Sequence, residues 1–257
     1  MMKYISGVAA FILLFALAFS VSASSNPGEY ETTTVNNQTE HRILIFSKTD
    51  GWRHDSIEKG RDALISWAEE HGVHADATED ASEFTTANLS RYQAIVFLNT
   101  TENVFNDIQR DAFRTYIQNG GGFAGVHSAT DTEYEWPWYN QLVGAYFNGH
   151  PRVQTATLHV LDQNHPSTDM LPEEFEKRDE WYNFRDFNED VNVLISLDPQ
   201  SFEGSDHPDF HPIAWYHNFD GGRAFYTGMG HTEESYSEEY FMNHLWGGIE
   251  YAMGIAE

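Results

Sequence analysis

A flavodoxin-like three-layer α/β/α sandwich on a mainly parallel sheet is the fold this sequence predicts, and three observations carry the prediction. Strand-length apolar runs alternate with helix-spaced ones at intervals that suit crossover connections. The runs over 41–47, 92–98 and 122–126 are continuously apolar or nearly so, as strands covered on both faces are. Glycines 120–122 lead into the last of these runs, which ends abruptly in Gly125-Val126-His127-Ser128-Ala129. That is the outline of a strand followed by a sharp turn, which lifts one side chain above the end of a parallel sheet. Here the lifted residue is His127, which can bind a metal or move a proton.

The elements follow in order. Lys3, the apolar run over 5–19 and the small residues Val21, Ser22 and Ala23 form a signal peptide over 1–23, cleaved after Ala23. The run is short for a bilayer, so no stable membrane span is expected after cleavage, and the mature protein is secreted or periplasmic. Residues 24–40 are rich in Ser, Thr, Asn and Glu with little to bury and read as a flexible linker. One domain over 41–257 remains. After its first strand, Asp55 and Glu58 resemble a capping box. Ile57, Gly60, Leu64, Trp67 and Ala68 then recur at helical spacing up to Gly72. Strands are expected over 73–78 and 92–98. The helix between 98 and 122 is marked by Phe105, Ile108, Ala112 and Tyr116. Further strands fall near 155–161, 191–197, 212–217 and 223–228, and a last helix from about Ser237 carries Met242, Leu245, Ile249 and Met253 on one face.

Composition narrows the function. The net charge is −26 at neutral pH, and one unit more negative without Lys3. Binding nucleic acid through its phosphates is thereby disfavoured, and a soluble exported protein is favoured. No cysteine is present, which removes disulfides and thiol nucleophiles. The seven Trp and thirteen Tyr exceed what a core alone demands and suit stacking on sugar rings. Glycines 120–122 precede their strand, whereas a dinucleotide fingerprint follows one, so no nucleotide cofactor is expected.

Ligand sites of such sheets lie beyond the carboxyl ends of the strands. Several strand ends there carry chemistry: Trp52-Arg53-His54, Asn99-Thr100-Thr101, His127 through Asp131, and His231-Thr232-Glu233. His150 sits in a Gly/Pro-constrained turn, and Asp179-Glu180 abut Trp181 and Tyr182. Trp215 lies in a strand. Asp131 also reads as a cap for the next helix, and Trp215 as core. Of the thirteen histidines, His41, His71, His74, His159, His165, His207 and His244 read as surface or packing residues.

The motifs Trp52-Arg53-His54, 121–129, 147–151, 179–182, 211–215 and 228–232 together resemble those of the trehalose-utilisation (ThuA-like) family. The resemblance spans Arg42 to Gly254. It implies a fold like that of class I glutamine amidotransferases, with His127 where those enzymes carry a cysteine. Glutamine hydrolysis by a thiol is therefore excluded, while His231-Thr232-Glu233 keeps the later His-x-Glu pattern. The resemblance further implies sugar-derived substrates, keto-sugars included.

The reading that results is an exported enzyme acting on glycosides or keto-glycosides with a divalent metal. His54, His127 and His231 would hold Zn, Mn, Co or Ni. His127, His231, Glu180 and His150 would supply the catalytic groups, with His150 and Glu180 at the margin. Trp52, Trp181, Trp215 and Asp131 would contact the sugar. A non-catalytic carbohydrate-binding or sensing protein with the same cleft is the alternative. A metal-free hydrolase using Asp179 and Glu180 is less favoured, because neighbours on a strand point to opposite faces.

Overall fold

The computed structural model describes residues 41–257; the expected signal peptide, its cleavage after Ala23 and the linker over 24–40 lie outside them. In chain order the elements are β1 (Arg42–Phe46), α1 (Ile57–Glu70), β2 (His74–Thr78), α2 (Thr86–Leu89), β3 (Ala94–Leu98), α3 (Asp107–Gln118), β4 (Gly122–Val126) and α4 (Pro137–Val143). Then come β5 (Tyr146–Gly149), β6 (Gln154–Val160), β7 (Glu174–Asp179), β8 (Asn183–Arg185), β9 (Asn192–Leu197), β10 (His211–Phe219), β11 (Gly222–Thr227) and α5 (Glu239–Met253). The expected strands and long helices are present. No helix among the described residues is long and apolar enough to cross a membrane.

Nine strands form one sheet in the order β2-β1-β3-β4-β11-β10-β9-β6-β7, and β5 pairs with β8 apart from it. The first five of these strands are parallel. The remaining pairings are antiparallel, so the sheet is mixed rather than mainly parallel. Between β10 and β11 the cause is connection length: a parallel pairing needs a crossover of about a dozen residues or more, whereas these two strands are joined only by Asp220-Gly221. Both turn residues have positive φ (49° and 101°), the backbone that a two-residue hairpin requires and Asp-Gly supplies.

Packing follows the pleat. A Cβ on Gly122 would lie 2.1 Å from the Ala252 carbonyl oxygen in α5, so β4 and α5 meet with almost no space between them. The next residue, Phe123, packs instead against Phe113 of α3 and Tyr139 of α4. Ile108, expected on the packed face of α3, is 79 % exposed. The capping box expected at α1 does not form. Ser56 is the N-cap residue and makes no side-chain cap. Its hydroxyl bonds the Gly230 carbonyl instead, and Glu58 pairs with Arg53 at 2.7 Å.

Candidate metal centre

Strand sense decides what reaches the carboxyl edge. Counting from β11, each antiparallel pairing reverses direction: β10 runs against it, β9 with it, β6 against it and β7 with it again. The loops after β1, β4 and β11 therefore share one edge with the end of β7 and the start of β6. They deliver His54, His127, His231, Glu180 and His150 respectively. A flat sheet would still leave β7 roughly 19 Å from β11, four strand spacings away. Yet the Asp179 carboxylate accepts a hydrogen bond of 2.9 Å from the Gly230 amide, three residues beyond β11. The antiparallel half curls back over the edge of the parallel half.

His127 sits at the elbow, as expected, with φ at 47°. A left-handed backbone at a non-glycine residue costs energy that the surrounding packing must hold in place. Its Nδ1 lies 2.9 Å from the Gly228 carbonyl oxygen. A carbonyl only accepts, so Nδ1 donates to it, and Nε2 faces Glu180 and His231. The ring is wholly buried, not raised on an open rim.

Three imidazoles converge. The ring centroids of His54 and His127 are 4.9 Å apart, those of His54 and His231 5.2 Å, and those of His127 and His231 5.1 Å. Glu180 lies among them rather than at the margin. Its Oε2 is 3.4 Å from His127 Nε2 and 3.2 Å from His231 Nδ1, and those two nitrogens are 3.3 Å apart. A tetrahedron with arms of about 2.1 Å has edges of about 3.4 Å. The donor set of His54, His127, His231 and Glu180, all within 4.8 Å of one another, could therefore hold a metal ion.

Burial and charge set the protonation balance of the cluster. Burial, reinforced by the neighbouring imidazoles, holds the His54 pKa down to about 2, so its ring is neutral. Burial pushes the Glu180 carboxyl up, but hydrogen bonds from His127 and His231 and their charge outweigh it. Glu180 ends well below the usual carboxylate range. For His231, burial is outweighed by the Glu180 hydrogen bond and charge, and its pKa is raised.

Beside the cluster a cleft of about 510 Å³ is lined by Trp52, His54, Asp131, Phe147, His150, Glu180, Tyr182 and His231. His150 is at its margin as expected, with Nδ1 3.0 Å from Glu180 Oε1. Trp52 is exposed and free to meet a ligand. Trp181 and Trp215 are not. Both are fully buried, and their indole N–H groups donate to the Gln154 and Val143 carbonyls, so neither offers a face to a sugar. Asp131 lines the cleft and caps no helix, since Trp136 is the N-cap residue of α4. Burial and the nearby Glu102 push its carboxyl up to about 6, against a bond from the Tyr134 hydroxyl.

Asp179 and Glu180 are not a catalytic pair. Asp179 is wholly buried and bonds backbone amides. Residue-by-residue reading of the sequence missed Phe147 and Tyr182 as cleft walls, although both lie within motifs it singled out. It also missed Ser128, whose Oγ is 3.4 Å from His54 Nδ1; its position directly after the elbow was the available signal.

The family model described as trehalose utilisation matches residues 42–252. A ThuA-like protein from Bacteroides uniformis superposes with a TM-score of 0.70 at 26 % identity, over 89 % of this chain and 95 % of its own. A second, from Parabacteroides merdae, has a TM-score of 0.69 at 19 % identity, over 83 % and 90 %. A β-galactosidase from Bacillus circulans shares the fold over 84 % of this chain and 30 % of its own, with a TM-score of 0.54 and 11 % identity. No curated protein matches the sequence.

Proposed function

This chain belongs to the trehalose-utilisation (ThuA) family, and we propose that it is an exported, metal-assisted enzyme acting on glycosides or keto-glycosides. The observation that carries the proposal is the cluster of His54, His127, His231 and Glu180, whose donor atoms all lie within 4.8 Å of one another, with His127, His231 and Glu180 separated by 3.2–3.4 Å, at the floor of a ligand-sized cleft. Zn, Mn, Co or Ni would suit these donors, and such an ion polarises a carbonyl or hydroxyl and acidifies a nearby C–H or water.

The remaining roles fall to the chain's own groups. His127 is buried behind the cleft, so it acts as a ligand and not on the substrate. His150 and Asp131 line the cleft and are the groups placed to move a proton at the sugar. Trp52, Phe147 and Tyr182 form its aromatic faces. Export rests on the residues over 1–23, and a three-layer arrangement is supported by α5 and the pair α3 and α4 packing on successive residues of β4.

The test is metal analysis of the purified protein, followed by a turnover screen on glycosides and their 3-keto forms with and without chelator. Turnover abolished by chelation and restored by metal is expected. Turnover indifferent to chelation defeats the metal-assisted mechanism. Sugar binding without turnover of any substrate gives the role to a carbohydrate-binding protein with the same cleft.

A further inference from the structure

We infer that Asp179 is the positioning residue of the metal centre, its carboxylate clamping the two segments that carry Glu180 and His231. The inference rests on the metal-binding reading above. Each carboxylate oxygen takes two donors. Oδ1 accepts the backbone N–H of Glu180 at 3.0 Å and of His231 at 3.1 Å. Oδ2 accepts the Gly230 N–H at 2.9 Å and the Ser235 hydroxyl at 3.2 Å. A carboxylate has about four acceptor positions, and here all are used.

Lys177 and the Glu180–His231 contact also join the two segments, but Asp179 is the group that bonds the main chain of both. One ends β7 at the edge of the sheet, and the other follows β11 four strands away. Three of the four donors are backbone amides of the ligand residues or of Gly230, so the bonds fix main-chain position and, through it, where Glu180 Oε2 and His231 Nδ1 come to rest. Asp179 is wholly buried and lines no part of the cleft, which leaves it no contact with a substrate.

Its charge is balanced from behind. Lys177 Nζ lies 3.7 Å from Asp179 Oδ2, is itself wholly buried, and bonds Ser235 Oγ at 2.9 Å and Glu238. A buried carboxylate needs such a partner and full hydrogen bonding to stay ionised. An asparagine would keep the size but place an amide N–H₂ against two of the four donors.

Asp179→Asn is therefore expected to weaken metal binding by about ten- to a hundredfold, the usual cost of losing an outer partner of a metal site. Zn(II) affinity is read by competition with a chromogenic chelator, and geometry from the visible bands of the Co(II)-loaded protein. A purely structural role would lower the melting temperature of the metal-free protein while leaving affinity and Co(II) bands unchanged in the folded fraction; that result overturns the inference. Should the variant not fold, amide exchange on the metal-free wild type decides. Gly230 and His231 must exchange as slowly as the amides of β11, and exchange at exposed-loop rates overturns the clamp. A wild type that binds no Zn(II) or Co(II) defeats the metal-binding reading, and this inference with it. A wild type that binds, with a variant that binds equally well, defeats the inference alone.

Discussion

His54, His127 and His231 arrive on loops after β1, β4 and β11, in the parallel half of the sheet, whereas Glu180, His150, Phe147 and Tyr182 come from the segment between β4 and β9. The parallel half supplies the three clustered imidazoles, and the other supplies the carboxylate, the imidazole of His150 and half of the cleft lining. In the parallel half every strand points the same way, so the position of each loop follows from local pattern. In the antiparallel half, Glu180 reaches the centre only because an even number of strand reversals and a curl of the sheet return it there, and His150 reaches the margin from the start of a strand that runs the other way. Chemistry that depends on one local turn is recognisable from sequence; chemistry that depends on counting reversals is not.

The comparison makes the antiparallel half a packing scaffold as well as a wall. Trp215→Ala and Trp181→Ala are expected to cost about 3–5 kcal/mol each in denaturant unfolding, as deletions of wholly buried indoles do. If either variant unfolds like wild type while losing sugar affinity, that tryptophan belongs to the cleft after all.

Next in size are the ligands from each half. Glu180→Gln and His127→Ala should each weaken Zn(II) binding more than about 100-fold, beyond the loss of an outer partner, as measured by calorimetric titration. His127→Ala also empties a buried position and breaks the bond to Gly228, so it should melt at lower temperature. Glu180→Gln fills the same volume and should melt closer to wild type. Equal affinity in the Gln variant would confine the metal site to the imidazoles of the parallel half.

A third expectation concerns pH. Burial holds His165, His211 and His244 down to about 4, below the ordinary imidazole value of about 6.5. Between those values the unfolded chain binds more protons, so this contribution is complete above about 6.5 and is lost as pH falls toward 4. Urea midpoints of the metal-free protein should therefore drop across that interval. A flat profile would mean that these rings are hydrated, two of which (His165 and His211) lie in the antiparallel half.

The smallest effect is expected at Trp52, the exposed tryptophan on the parallel side. Trp52→Ala should leave stability within about 0.5 kcal/mol of wild type. It should weaken binding of a glycoside identified in the screen by about 1 kcal/mol, roughly fivefold, if the indole stacks on the sugar. Unchanged affinity would place the sugar wholly against Phe147 and Tyr182.

The alternating apolar runs, the glycines before β4 and the abrupt His127-Ser128-Ala129 turn are local patterns. From them the sequence by itself determined the α/β class, the parallel half, the elbow and the three imidazoles that share its edge. Asp220-Gly221 also announced a hairpin, a local signal that would have revealed the antiparallel half. Trp181 read as a sugar platform, and Trp215 as a sugar platform or as core, because an indole suits both and only its neighbours decide. Whether Glu180 stood at the margin or among the imidazoles was likewise beyond local pattern. Tertiary structure alone decided these, since strand parity, sheet curl and the clamp at Asp179 join residues far apart in the chain, and no periodicity records which distant groups a folded sheet brings together.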